Sequence, residues 1–121
     1  MAAQGDRAMT LNDIVEQLHL SVRCGGDRLG RTITGGYAGD LMSDVIANGK
    51  PGDLWITMQR HVNIIAVAVL KDIAGIIIVQ GREPAGETIS RGAAEHIPVL
   101  VGDLPAFETA ARLHALLAGG T

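Results

Sequence analysis

Gly75-Ile76-Ile77-Ile78-Val79 is the segment of this 121-residue chain that decides its fold. The run is apolar throughout, and similar apolar runs precede it at Asp53–Thr57 and follow it at Pro98–Val101. Continuous rather than alternating apolar runs are typical of parallel strands that helices cover on both faces. The sequence therefore predicts a single compact α/β domain, with a mostly parallel sheet and helices on both of its faces.

The segments between and after these runs predict helices. In His61–Leu70 the isoleucines and valines favour a strand. The length of this segment and its two alanines favour a buried helix, and we predict a helix here. Helical spacing predicts two more helices, over Gly86–His96 and Pro105–Leu117. In the last of these we expect four apolar side chains to point inward: Phe107, Ala110, Leu113 and Leu117.

The first half of the chain is less regular. Thr10-Leu11-Asn12-Asp13 is a variant of the capping box, and it predicts a helix from Leu11 to Leu18. Two short strands are expected at Leu20–Cys24 and Arg31–Thr34, the second ended by Gly35-Gly36. A helix is predicted from Asp40, with an apolar stripe of Leu41, Met42, Val45 and Ile46 and a stop at Asn48-Gly49. These boundaries give one domain over residues 10–118, preceded by a disordered leader over residues 1–9.

Composition and charge weigh against several function classes. The chain has ten Lys and Arg against thirteen Asp and Glu, and only three aromatic residues. A nucleic-acid binder usually has a basic face, and single-strand binders need aromatic platforms. The longest apolar run, Ile64–Leu70, is too short to cross a bilayer. We therefore expect no nucleic-acid partner and no membrane partner.

The single cysteine, Cys24, bears on the compartment. One thiol cannot form an intramolecular disulfide, and a lone cysteine fits a reducing cytoplasm. It is either a small buried apolar group or a reactive thiol. The first nine residues contain no apolar segment of the kind that a signal peptide has. We expect a cytoplasmic protein.

Ligands of open parallel sheets bind beyond the carboxyl ends of the strands. Gln80–Pro84 is the most polar of those ends. Gly81 would allow close approach, and Arg82 would offer a fork of donors to a carboxylate or phosphate. The helix that begins near Gly86 would point its amide groups at the same place. The alternative is a plain loop with a solvated arginine.

Two further segments offer polar groups. Gln59-Arg60-His61 follows the preceding strand, and His61 is either a general base or a solvated residue near a helix start. In the segment 35–45, Tyr37 follows paired glycines and Asp40 is a candidate N-cap. Asp44 lies one turn beyond Asp40, so the two carboxylates could hold a divalent metal or a sugar hydroxyl. The alternative is a simple helix cap.

The segment from Gly25 to Thr32 nearly matches a phosphate-binding loop, but Arg31 stands where that motif has lysine, and no helix follows. The histidines lack metal-ligand spacing, and no serine lies in the context of a nucleophile elbow. The sequence therefore predicts no catalytic residues, no metal and no cofactor.

Three segments resemble those of DRTGG-domain proteins, and together the resemblance covers about residues 10–117. They are Gly35-Gly36-Tyr37-Ala38-Gly39-Asp40-Leu41-Met42-Ser43-Asp44-Val45, Leu54-Trp55-Ile56-Thr57-Met58-Gln59-Arg60-His61-Val62-Asn63-Ile64-Ile65-Ala66-Val67-Ala68 and Ile76-Ile77-Ile78-Val79-Gln80-Gly81-Arg82-Glu83-Pro84. The branch most similar is that of stand-alone small proteins related to the HPr kinase N-terminal domain. The resemblance implies a compact α/β fold and a regulatory or ligand-binding module without catalytic machinery. It also suggests a link to redox or energy metabolism.

We therefore expect a non-catalytic regulatory module that binds a small anionic or nucleotide-like ligand. The expected ligand-binding residues are Gly35, Gly36, Tyr37, Asp40, Gln59, Arg60, His61, Gly81 and Arg82. A very apolar sequence in a small chain favours a homodimer. The alternatives are a protein-interaction module without a small ligand and a small enzyme using His61 and Asp44.

Overall fold

A computed structural model describes residues 8–119. The described residues form five α-helices and five strands, which alternate along the chain except that a 3₁₀ turn, Gly26–Arg28, separates the first two strands. The helices are α1 (Leu11–Leu18), α2 (Met42–Asn48), α3 (Asn63–Lys71), α4 (Gly86–Glu95) and α5 (Ala106–Leu117). The strands are β1 (Ser21–Cys24), β2 (Gly35–Ala38), β3 (Asp53–Thr57), β4 (Gly75–Ile78) and β5 (Val99–Val101).

The strands form one sheet in the order β1-β5-β4-β3-β2. Strands β2, β3, β4 and β5 run parallel, and β1 pairs antiparallel with β5 at one edge. Every residue of β3, β4 and β5 is buried. The prediction of a mostly parallel, helix-covered sheet is therefore confirmed, because only helices on both faces can bury such strands completely.

Each face of the sheet carries its own apolar core. Trp55 and Ile76 lie in the core that α2, α3 and α4 cover. Leu54 and Ile77 lie in the opposite core, under α1 and α5. The two cores alternate along each strand because successive side chains of a strand point to opposite faces. Hydrophobic burial in this three-layer arrangement is the main force that holds the fold together.

The strand expected at Arg31–Thr34 is wrong: β2 consists of Gly35–Ala38, so the two glycines belong to the strand. Tertiary packing explains why glycines occur in this strand. A Cβ on Gly36 would lie 3.0 Å from the side chain of Leu113 in α5. A Cβ on Gly35 would lie 2.7 Å from the Asp53 carboxylate. Glycine permits this close approach, whereas the sequence analysis took the pair as a strand breaker.

Three details of the predicted helices are wrong. Helix α2 begins at Met42 with Leu41 as its N-cap, so Asp40 does not cap it. The expected apolar stripe is half correct, because Leu41 and Ile46 are exposed. Phe107 was expected to point inward, but it lies in the first turn of α5 and is 84% exposed. Of the four apolar side chains expected to point inward from this helix, only Leu113 is fully buried.

The first helix is confirmed, together with its cap. Asp13 N donates to Thr10 Oγ1 at 3.2 Å, and Thr10 N donates to Asp13 Oδ2 at 3.0 Å. Of the leader expected over residues 1–9, residues 1–7 lie outside the described part, and the carbonyl of Met9 accepts a hydrogen bond from Ile33 N at 2.9 Å. None of the described helices has the length and apolar character needed to cross a membrane.

Candidate functional site

The carboxyl ends of the four parallel strands open at one edge of the sheet. We call this the loop edge, and it comprises residues 39–41, 58–62, 79–85 and 102–105. Parallel pairing places all four ends side by side, so segments far apart in the sequence become neighbours. Seven of the nine expected site residues lie in or next to this edge.

The loop after β4 rests on the loop after β5. Gln80 N donates to the carbonyl of Leu104 at 3.0 Å, and Gly81 N donates to that of Gly102 at 2.8 Å. Gln80 and Gly81 both have left-handed backbone conformations, with φ of 61° and 66°. Gly81 adopts such a conformation without strain, whereas a non-glycine residue there is uncommon. The expected site residues Gly81 and Arg82 therefore stand on a fixed backbone, and Arg82 itself is exposed.

Asp40 joins the loop after β2 to the end of β3. Its Oδ1 accepts hydrogen bonds from Thr57 Oγ1 at 2.8 Å and from Met58 N at 2.7 Å. Gln59 Nε2 donates to the Asp40 carbonyl at 2.8 Å. The structure therefore brings Asp40 and Gln59 together, as expected for a common site. The carboxylate stabilises the neighbouring loop instead of capping α2.

Arg60 and Arg82 supply positive charge at the loop edge. Arg60 Nε donates to the carbonyl of Glu83, and the Arg60 carbonyl accepts from Thr88 Oγ1 at 2.7 Å. Within residues 8–119, the Arg82 side chain forms no hydrogen bond and no ion pair, and its guanidinium is available to a ligand. His61 is also exposed, at the start of the turn that leads into α3.

A third arginine, which was not among the expected site residues, reaches the loop edge from β1. Arg23 Nε and Nη2 donate to the two carboxylate oxygens of Glu83 at 2.7 and 2.8 Å. This hydrogen bonding holds the pKa of the Glu83 carboxyl below its usual range, with help from the positive charges of Arg23 and Arg60. The partners are 60 residues apart, so no local sequence signal could have shown the pair.

Four helices begin at the loop edge, and none has a side-chain cap. Their N-cap positions are Leu41, Val62, Ala85 and Pro105. In contrast, α1, which begins elsewhere, has a complete capping box. The first amide groups of a helix carry partial positive charge. In α3 two of them already donate to backbone carbonyls, Ile64 N to His61 O at 3.2 Å and Ile65 N to Val62 O at 3.0 Å. The loop edge therefore combines three arginines with four uncapped helix starts.

Gly35 and Gly36 lie away from these polar groups, at the start of β2. They line an apolar groove of about 430 Å³ between β2 and α5, together with Leu113 and Leu117. Tyr37 lines the same groove and also packs beside Gly39, where a Cβ would lie 3.2 Å from its ring. Of the nine expected residues, Gly35, Gly36 and Tyr37 are the three that lie outside the loop edge.

Asp40 and Asp44 were candidates for a shared metal or sugar-hydroxyl site, but each carboxylate has other partners. Asp44 accepts hydrogen bonds from the Tyr37 hydroxyl and from Asn48 Nδ2, the latter at 2.8 Å. Asp40 binds the end of β3. Across residues 8–119, no group of three or more His, Cys, Asp or Glu side chains is placed to hold a metal ion.

The segment that resembles a phosphate-binding loop lies at the opposite edge of the sheet, along a cavity of about 510 Å³. It forms a 3₁₀ turn and not the start of an α-helix. Arg31 forms a bidentate ion pair with Asp72 at 2.9 and 3.0 Å. Arg31 therefore connects the loop before β2 to the turn after α3. This structural role accounts for the arginine without a bound phosphate.

Comparison with known proteins agrees with this fold. A family model described as "DRTGG domain" matches residues 13–116. A solved structure of the CBS and DRTGG domains of the regulatory region of Clostridium perfringens pyrophosphatase, in complex with its activator diadenosine tetraphosphate, is similar to the chain. The two share 20% identity with a TM-score of 0.66, and the match covers 86% of this chain.

The match covers 45% of the pyrophosphatase region, so the chain spans less than half of that structure's length. No curated protein matches the chain. The family model, by contrast, extends from the first helix to the last. The chain belongs to the DRTGG-domain family.

Proposed function

We propose that the chain is a non-catalytic regulatory module that binds a small phosphate-bearing, nucleotide-like ligand at the loop edge. The observation that carries this proposal is the meeting of Arg60 and Arg82 with the uncapped starts of α4 and α5. An anion there would gain from the helix dipoles and from guanidinium groups whose fork geometry suits phosphate. No other edge of the described chain combines these features.

The proposed site uses six of the expected residues. Arg60, His61 and Arg82 would contact the anionic group, and Gly81 would allow the ligand to come close to the backbone. Asp40 and Gln59 would form the wall toward β2, since they bind each other and the end of β3. Gly86, the first residue of α4, faces open space at its Cα, which leaves that helix start accessible.

A regulatory role is supported by the context of the similar structure. There the DRTGG domain belongs to the regulatory region of an enzyme, and that region is in complex with a nucleotide activator. By analogy, this chain would signal the level of its ligand to a partner protein. We also propose a relationship to the HPr kinase N-terminal domain, a cytoplasmic location, and a link to redox or energy metabolism.

A thermal-shift screen against nucleotides and phosphorylated metabolites tests the ligand. We expect at least one such compound to raise the melting temperature, and Arg82→Ala to reduce that shift. Arg112→Ala is the matched control, because Arg112 is an exposed arginine on α5. A shift that Arg82→Ala and Arg112→Ala leave equally unchanged would place the ligand elsewhere.

The second candidate is a protein-interaction module, and exposed apolar surface favours it. Phe107 is 84% exposed and Leu41 is 68% exposed, and both lie near the loop edge. Strand β2 has a free edge next to the apolar groove, so a second copy could pair there and form the homodimer. Analytical ultracentrifugation of the wild type and Leu117→Arg tests the dimer, and a monomer at high wild-type concentration would exclude it.

A further inference from the structure

Glu83 makes a fork-to-fork ion pair with Arg23 at the loop edge. The two hydrogen bonds measure 2.7 and 2.8 Å. The Arg23 side chain is 35% exposed and the Glu83 side chain is 53% exposed. A phosphate group offers a guanidinium the same two-oxygen geometry as a carboxylate. Arg23 therefore holds, in its present partner, a close mimic of a phosphate.

Arg23 owes its position to an irregularity in β1. Val22 is opposite Leu100 and Cys24 is opposite Val99, so Arg23 is the additional residue of a β-bulge. A bulge turns a side chain away from the direction that regular pairing would give it, and bulges are frequent beside functional sites. The bulge thus explains how an edge-strand arginine comes to meet a loop that follows β4.

The loop around Glu83 does not depend on the Glu83 side chain. Its backbone is held by hydrogen bonds from Gly81 N to Gly102 O and from Arg82 N to Val79 O, at 2.8 and 3.2 Å. Arg60 Nε donates to the main-chain carbonyl of Glu83 and not to the Glu83 carboxylate. The carboxylate could swing into solvent while Arg60 stays on the Glu83 carbonyl, and the Arg23 guanidinium would then be free for another anion.

We propose that Glu83 is an internal occupant of a phosphate subsite formed by Arg23 and Arg60, and that a phosphate group of the ligand displaces its carboxylate. This inference rests on the proposed function, and it adds Arg23 to the binding residues and Glu83 as their competitor. Replacement of the Glu83 carboxylate by a phosphate is favourable because an exposed ion pair is weak, so opening the Arg23–Glu83 pair costs little free energy. A phosphate also carries more negative charge than a carboxylate and lies near the uncapped start of α4.

Calorimetric titration with inorganic pyrophosphate tests the exchange. We expect Glu83→Gln to bind pyrophosphate about fivefold more tightly than the wild type, since the competing ion pair is gone. Glu95→Gln is the matched control: it removes the same charge from the exposed far end of α4 and should leave the affinity unchanged. An affinity of Glu83→Gln equal to that of the wild type would overturn the exchange.

The double variant Arg23→Gln/Glu83→Gln separates exchange from simple repulsion. If Arg23 receives the phosphate, the double variant loses the gain of Glu83→Gln. If the carboxylate only repels the ligand, the double variant binds as tightly as Glu83→Gln, and the proposal is wrong. In the wild type, carboxyl NMR should show the Glu83 signal moving as pyrophosphate is added, and a static signal at saturation would also overturn it.

These experiments distinguish failure of the exchange from failure of the proposed function. Absence of pyrophosphate binding by both the wild type and Glu83→Gln would overturn the exchange, while the nucleotide screen would still decide whether the loop edge binds a ligand. Binding by the wild type without a gain in Glu83→Gln would retain the proposed function and overturn only the exchange.

Discussion

Asp40 Oδ1 accepts a hydrogen bond from Thr57 Oγ1 at 2.8 Å, and this bond joins the loop after β2 to the last residue of β3. Thr57 is 1% exposed, so its hydroxyl depends on protein partners. The same hydroxyl accepts from Gln59 N at 3.1 Å. A short chain of hydrogen bonds thus fixes the wall of the proposed site, and its charged member is Asp40.

Asp40→Ala should lower the free energy of unfolding by about 1–2 kcal/mol, because it leaves Thr57 Oγ1 and Met58 N without their charged acceptor. Urea unfolding followed by circular dichroism measures the change. Asp103→Ala is the control, since within residues 8–119 the Asp103 side chain makes no hydrogen bond. Equal stability of Asp40→Ala and Asp103→Ala would show that the Asp40 bonds contribute nothing.

Gly25→Ala should destabilise the fold by at least about 2 kcal/mol. Gly25 has φ of 76°, and a Cβ there would lie 2.4 Å from Pro98 N. A left-handed alanine is strained, and the contact is with backbone that cannot move aside. Gly30→Ala is the matched control in the same segment, because nothing lies within 4 Å of its Cβ position. Similar unfolding midpoints for the two variants would contradict this account of the segment.

Cys24 should be inert in the folded protein. Its side chain is buried, burial raises the pKa of the thiol, and Sγ lies 3.5 Å from the carbonyl of Ile97. Because the thiolate is the nucleophile, we expect a disulfide reagent at neutral pH to react at least about a hundredfold more slowly with native protein than with protein in concentrated guanidinium chloride. Rapid labelling of the native protein would instead favour the reactive-thiol alternative.

The ion pair with Arg23 should give Glu83 a distinctive acid titration. The pair lowers the pKa of Glu83, so its stabilising effect is present above the usual Glu range and is lost as pH falls through the lowered value. In Arg23→Gln we expect carboxyl NMR titration to show the Glu83 pKa rising back toward the usual Glu range. Identical Glu83 titrations in the wild type and in Arg23→Gln would exclude the ion pair in solution.

The stability of Arg23→Gln should approach that of the wild type as the pH falls through the lowered pKa of Glu83. Protonated Glu83 no longer attracts Arg23, so the two proteins then lack the same interaction. Urea unfolding at neutral and at acidic pH measures this convergence. A stability difference that is constant over the whole range would assign the effect of Arg23 to packing and not to charge.

The buried strands and most helices could be predicted because their signals are local. Gly75–Ile78 is apolar at every position, and Thr10 caps α1 through a partner three residues away. The site was only partly predictable. Asp40 and Gln59 were expected in it, and the structure places them together, but Asp40 was assigned to the wrong hydrogen-bond partner.

The sequence by itself determined the fold class, because continuous apolar runs separated by helical segments can bury themselves in few other ways. It also indicated the family, since the three segments that resemble DRTGG-domain proteins all lie within the matched residues 13–116. Only the tertiary structure decided that Gly35 and Gly36 form an edge strand, because Leu113 of α5 lies close to Gly36 and the Asp53 carboxylate lies close to Gly35. It likewise decided the pairing of Arg23 with Glu83, since contact between residues 60 positions apart depends on the order of strands in the sheet.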